Sequence, residues 1–229
     1  MNLKKFHNSL RLIAKLVSAL FHPVFILYYI FLTLHIITPV AFIYSDPKQG
    51  LAVHFLVFGM SVFFPLVSTF ALRAAGLIKS VHLEEKQDRI GPMIATIIFY
   101  VWLFLNYRSF NIGPNIFDAT ILGATIALSI CFLINNFSKI SMHGAGMGGL
   151  VGAFGIFRMT IPQMTYDFPI DNFILSISPN LFLALAIILA GVVGSARLEL
   201  GSHRPQDVYG GFIIGLTTQI MAYWMLGPL

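Results

Sequence analysis

Charge is what this sequence has least of. Only 10% of its 229 residues are charged against 57% hydrophobic, and the mean hydropathy is +0.83. Soluble domains carry about 25% charged residues, and a soluble chain of this length still needs a polar skin around its core. There are too few polar residues here to make one, so lipid must solvate much of the surface. Cysteine is nearly missing as well. The single Cys131 excludes an intrachain disulfide and a cysteine-cluster metal site, and its apolar surroundings suit a packed thiol. Carboxylates form no cluster of the kind a two-metal site needs, so no metal and no cofactor is expected. Basic runs with interleaved exposed aromatics are also absent. That removes nucleic acid as a partner despite the net charge of +5. No small-residue cleavage pattern interrupts the basic, then apolar, N-terminus, which is expected to be a short amphipathic lead-in to an uncleaved first span.

Long apolar runs are what is there. A spanning helix needs about 20 apolar residues. Runs of this kind lie near Leu16–Ile37, Leu51–Leu72, Met93–Tyr107, Phe117–Ile134, Ala145–Ile161, Ser178–Ser195 and Val208–Leu226. The third is short, so the alternative to seven spans is six plus a short helical hairpin. The fold class expected is all-α, a polytopic transmembrane helical bundle of six to seven spans. With no linker or low-complexity tract, residues 1–229 form a single domain. The segment GAGMGGLVGAFG, Gly144–Gly155, is rich in small residues, which let helices approach closely in a membrane.

Threading the spans alternately gathers the N-terminus, the loop Arg73–Pro92 and the junctions Asn135–Gly144 and Arg197–Asp207 on one face. That face carries Lys4, Lys5, Arg11, Lys15, Arg73, Lys79, Lys86, Arg89, Lys139, Arg197 and Arg204, and the other face only Lys48, Arg108 and Arg158. Such a bias places the charged face in the cytoplasm.

Three polar clusters share this face. LEEKQDRIGP, Leu83–Pro92, offers Lys86 and Arg89 at i and i+3, one helical face. A guanidinium fork beside an ammonium suits a phosphate dianion. A solvated, charge-balanced loop is the plainer reading, because Glu84, Glu85 and Asp88 lie alongside. SKISMHGAG, Ser138–Gly146, offers the Ser141 hydroxyl, the His143 imidazole and the Gly144 N–H at a helix start, a natural anion site. Its plainer reading is a polar turn. ARLELGSHRPQDVYGG, Ala196–Gly211, sets Arg197, His203 and Asp207 at the mouth of the last span. Pro205 suits the first helical position, and Asp207 the first turn. His203 and Asp207, four apart, can pair, so that the carboxylate orients the ring and leaves its other nitrogen free to attack. An interfacial cap with a structural histidine is the alternative. Charge at membrane depth is costly and usually functional, and three clusters meeting on one face favour a shared site.

These residues resemble the type 2 phosphatidic acid phosphatase superfamily, whose motifs are K-x6-R-P, P-S-G-H and S-R-x5-H-x3-D. The third motif is matched from Arg197 through His203 to Asp207, with Ala196 in place of its leading Ser. The second stands as Ile140-Ser141-Met142-His143. In the first, Ile90 follows Arg89, Pro92 lies three positions on, and His82 holds the lysine position, with Lys86 as a substitute. The similarity covers about residues 83–215. It implies that His203 attacks phosphorus to form a phosphohistidine, Asp207 orients it, and His143 protonates the leaving oxygen. Arg89, Arg197, Ser141, the Gly144 N–H and Lys86 would hold the phosphate oxygens, as phosphoryl transfer requires. His22, His35 and His54 fall outside the motifs and are read as structural.

The function implied is an integral membrane phosphatase of lipid phosphate monoesters or pyrophosphates in a bacterial inner membrane, with the bilayer and a phosphorylated lipid as partners. A catalytically weak relative that binds or transports a phosphorylated lipid is the alternative. An ion-coupled transporter would place ionisable groups near mid-membrane, where few are found.

Overall fold

The computed structural model describes residues 3–38, 42, 44, 46–81, 83, 85–110, 113–160, 166–170 and 173–227. Helix follows helix: α1 (Leu3–Leu20), α2 (Pro23–Ile37), α3 (Pro47–Phe58), α4 (Phe64–Ala74), α5 (Ile90–Phe110), α6 (Asn115–Phe137), α7 (Met142–Thr160), α8 (Pro179–Glu199) and α9 (Pro205–Leu226). The expected all-α bundle is what the chain forms. One antiparallel hairpin, β1 (Tyr166–Ile170) with β2 (Phe173–Ile177), joins α7 to α8 with Tyr166 opposite Ile177.

Helix starts follow local chemistry. Proline occupies the first turn of α2, α3, α8 and α9, where a missing N–H costs nothing. Asp46 Oδ1 accepts from Gln49 N at 2.8 Å to cap α3, and Ser178 Oγ accepts from Asn180 N at 3.2 Å to cap α8. At α9, Asp207 Oδ2 accepts from Arg204 N at 3.0 Å. α3 runs into α4 through a π-helical turn, Gly59–Phe63, to make one long apolar element.

Helix fills all seven expected stretches, apart from a break at Phe21–His22, the capping residue Ser178, and Ile161, which lies outside the described residues. The expected six to seven spans need correction, however. Among the described residues, four elements can cross a membrane by length and composition: Pro47–Ala74, Gln87–Phe110, Asn115–Phe137 and Pro179–Glu199. A fifth arises if α1 and α2, bent by 61°, count as one broken span. α7 and α9 are long enough but diluted by glycine and polar residues. The reason lies in packing. α7 is buried along most of its length, while α9 buries Gly211, Gly215, Thr218 and Gln219 and exposes Tyr209, Ile213 and Trp224. Helices enclosed by protein need no continuous apolar surface.

α7 and α9 form the closest pair in the bundle. Gly144, Gly148 and Gly152 on α7 face Gly211 and Gly215 on α9, four-residue spacings that bring two backbones together. A Cβ on Gly148 would collide with the Phe212 carbonyl, and one on Gly215 with the Ala145 carbonyl. Backbone cannot swing aside as a side chain can. Gly215→Val is therefore expected to destabilise the protein by about 3 kcal/mol or more, read as a lowered Tm in detergent. An unchanged Tm would contradict this packing.

Outside the bundle core, large apolar side chains point outward: Trp102 and Leu105 on α5, Leu185 and Ile188 on α8. An exposed apolar belt of this extent suits a lipid environment.

Candidate active site

Four separate stretches of chain meet at one end of the bundle. Asn135 Nδ2 donates to the Lys86 carbonyl at 2.9 Å, tying the α6 end to the loop before α5. Arg89 closes a three-residue 3₁₀ turn, Gln87–Arg89, at the entry to α5. Its Nε donates to the Leu83 carbonyl at 2.8 Å and its Nη1 to the Ile140 carbonyl at 3.4 Å. Leu83 adopts φ +52°, rare for a branched side chain, so this loop stores strain where it positions Arg89. The Ser141 N–H donates to the Asp207 carbonyl at 3.1 Å, joining the α7 start to the α9 start. His143 Nε2 lies 2.9 Å from the Ser18 carbonyl at the end of α1. A carbonyl only accepts, so that ring nitrogen carries the proton.

These ties frame a cavity of about 970 Å³. Arg89, His143, Arg197 and His203 all line it, although they stand far apart in sequence. Its inner part is apolar, with Ile26, Ile30, Met93 and Leu128, and reaches Gln219, whose Nε2 donates to the Thr120 carbonyl at 3.3 Å. Four buried polar atoms of cavity-lining residues lack any partner: Ser18 Oγ, Arg197 Nε, His203 Nδ1 and Gln219 Oε1. Unpaired buried donors are costly unless something fills the site, and an oxyanion would satisfy a guanidinium.

His203 Nδ1 stands 3.6 Å from Asp207 Oδ2, with the histidine side chain only 3% exposed. That gap exceeds a hydrogen bond. Catalytic pairs are often long without substrate and tighten in the complex. Burial pushes the His203 pKa below the ordinary value of 6.5, and the neighbouring Arg89, Arg197 and Lys139 push the same way against Asp207. The ring is thus neutral, the form able to attack. For hydrolysis that uses neutral His203, activity persists as pH falls through 6.5 and is lost only as the ring protonates below it. The acid limb of kcat/KM is expected below pH 6.5; a limb at or above that value would contradict a neutral, buried nucleophile.

Three expected phosphate ligands lie elsewhere. Lys86 Nζ donates to the Phe137 carbonyl at 3.2 Å, capping the end of α6 rather than lining the cavity. Ser141 is fully buried, and its Oγ accepts from Gly144 N at 3.2 Å. Ser141 therefore caps α7 in the manner of a first-turn hydroxyl, and the Gly144 N–H expected to meet an anion is already occupied. Gly144 serves packing, because a Cβ there would strike the Val208 carbonyl. His82 and Glu84 lie outside the described residues.

The structure also adds residues that motif spacing passes over. His22, read as structural, lines the cavity, and its ring centroid lies 5.4 Å from that of His143, edge to face. Its Nδ1 accepts weakly from Val24 N at 3.4 Å. Arg11, Lys15 and Ser18 of α1 line the same cavity. The available signal was His22-Pro23 inside an apolar run, since a broken span commonly marks a binding site. His35 and His54, whose ring centroids lie 4.6 Å apart, pack at the other end of α2, consistent with a structural role. No family model matches the chain, and neither the curated proteins nor the solved structures hold a match to it.

Proposed function

We propose that this chain is an integral membrane phosphatase of lipid phosphate monoesters or pyrophosphates, related in mechanism to the type 2 phosphatidic acid phosphatases. One observation carries the proposal: Arg89, His143, Arg197 and His203 line one cavity that is basic at one end and apolar within. The charged end accepts a headgroup and the apolar part accommodates a chain.

In this scheme the His203 nitrogen turned away from Asp207 attacks phosphorus. The bond to the leaving oxygen breaks, and that oxygen takes a proton from His143 in its doubly protonated form, through the ring nitrogen that the Ser18 carbonyl does not hold. Water then cleaves the phosphohistidine, releasing phosphate and restoring His203. Arg89 and Arg197 balance charge on the phosphoryl oxygens, and Asp207 steadies positive charge on the attacking ring. The bias in basic residues supports a cytoplasmic site.

The 3.6 Å gap between His203 and Asp207 favours one rival, a weak relative that binds a phosphorylated lipid without turnover. Trapping decides between them. Purified protein mixed briefly with radiolabelled lipid phosphates and quenched in alkali is expected to carry label on His203, because phosphohistidine survives alkali and is lost in acid. Bound lipid with no labelled protein and no turnover would support the rival.

A further inference from the structure

The ionisable lining of the cavity is one-sided. Arg11, Lys15 and His22 join the four basic residues already placed there, and no Asp or Glu faces it among the described residues. Neither Arg11 nor Lys15 has an acidic partner or a hydrogen bond among the described residues. Ser18 is 7% exposed, and its Oγ is buried with no partner.

Their order along the chain matters. Positions 11, 15 and 18, continuing to His22 beyond the end of α1, follow steps of four, three and four. That is one face of a helix. The opposite face presents Leu12, Ile13, Leu16 and Leu20, exposed and apolar. α1 thus turns a strip of hydrogen-bond donors toward the cavity and greasy residues away. From Arg11 to Ser18 the strip runs roughly 10 Å at the helical rise. The strip begins beside the hydrolytic residues, where the Ser18 carbonyl meets His143, and runs away from them toward Arg11 over a length greater than one phosphate, accepting at about 3 Å, can span.

We propose that Arg11, Lys15 and Ser18 form a second anion subsite, so that the preferred ligand is a lipid whose headgroup carries two phosphates. The proposal rests on the reading of Arg89, Arg197 and His203 as the hydrolytic site. The shared chemistry is a second phosphate on one lipid, either directly linked as a pyrophosphate or esterified elsewhere on the headgroup. With a pyrophosphate, His203 bonds to the terminal phosphorus while the bond from that phosphorus to the bridging oxygen breaks. The electron pair stays on the oxygen of the remaining lipid monophosphate, which the second subsite holds. Water then releases inorganic phosphate from His203.

The test compares three lipids with one common tail: a monophosphate, a pyrophosphate and a bisphosphate. Full-length protein is assayed in phosphatidylcholine nanodiscs as wild type, as the Arg11→Gln/Lys15→Gln double variant, and as Ser18→Ala. Arg11 and Lys15 are both exposed, so the double variant keeps the packing of α1. Charge-assisted bonds are the strong ones. The double variant is expected to lose about 10- to 100-fold in kcat/KM on the favoured two-phosphate lipid and less than about threefold on the monophosphate. Ser18→Ala is expected to shift the same ratio in the same direction. Which two-phosphate lipid responds tells pyrophosphate from bisphosphate. Equal losses on all three lipids, or none, would overturn the subsite. So would an equal loss that appears only when anionic lipid is added, since α1 would then bind the membrane surface. If wild type hydrolyses none of them, the hydrolase reading fails by itself, and binding of inorganic pyrophosphate against inorganic phosphate decides. Tighter pyrophosphate binding that the double variant abolishes supports the subsite, and equal binding overturns it.

Discussion

His203→Ala is expected to abolish turnover, lowering kcat on the order of 10⁴-fold or more, as loss of a nucleophile does in other covalent hydrolases. Without the ring no phosphoenzyme forms. The fold is expected to tolerate the change, because His203 Nδ1 makes no hydrogen bond in the resting site. A Tm close to wild type would therefore accompany the lost activity, separating chemistry from stability. His143→Ala makes the contrast. It removes a proton donor rather than the attacking atom, so substrates with good leaving groups keep part of their rate. Near-normal hydrolysis by His203→Ala would remove it from the role of nucleophile.

Asp207→Asn has the second large expected effect and separates catalysis from binding. The amide keeps the size of the side chain and one carbonyl oxygen, so the bond now made from Arg204 N to Asp207 Oδ2 can persist. What disappears is the negative charge beside the His203 ring. If that charge orients the ring and stabilises it as it becomes cationic, kcat falls strongly. In a comparable Ser-His-Asp arrangement the loss reaches about 10⁴-fold. Lipid binding changes much less, because Arg89 and Arg197 are in place to hold the phosphate. A residue that only starts α9 would instead be worth about 1 kcal/mol of local stability and would leave turnover intact. Steady-state hydrolysis measured beside lipid binding tells the two apart, and robust turnover that survives Asp207→Asn refutes the catalytic role.

Hydropathy made the helices legible because a run of twenty apolar residues has few other uses. It misjudged how many would pass as spans, since α7 and α9 shield one another and carry glycine where lipid-facing helices carry leucine. The β1–β2 hairpin was not anticipated, because its two short strands sit beside apolar runs that dominate the pattern. At the site, Arg197, His203 and Asp207 were readable from spacing on a cap and one helical turn. Arg89 and His143 were readable from their place on the charged face. Lys86, Ser141 and Gly144 were named for the right loops, but their polar groups serve the helix ends nearby, and no spacing rule reveals that. Arg11 and Lys15 were placed on the charged face but not at the site, and His22 was read as structural, because the 61° bend that folds them onto the cavity is signalled only by His22-Pro23 inside an apolar run.

Release of inorganic phosphate by the purified full-length protein, measured over a panel of lipid phosphate monoesters and pyrophosphates without added metal, bears on the central claim most directly. The account predicts release from at least one of these lipids by wild type and none above background by His203→Ala. Absence of release from every lipid in the panel, or equal release by wild type and His203→Ala, would contradict it.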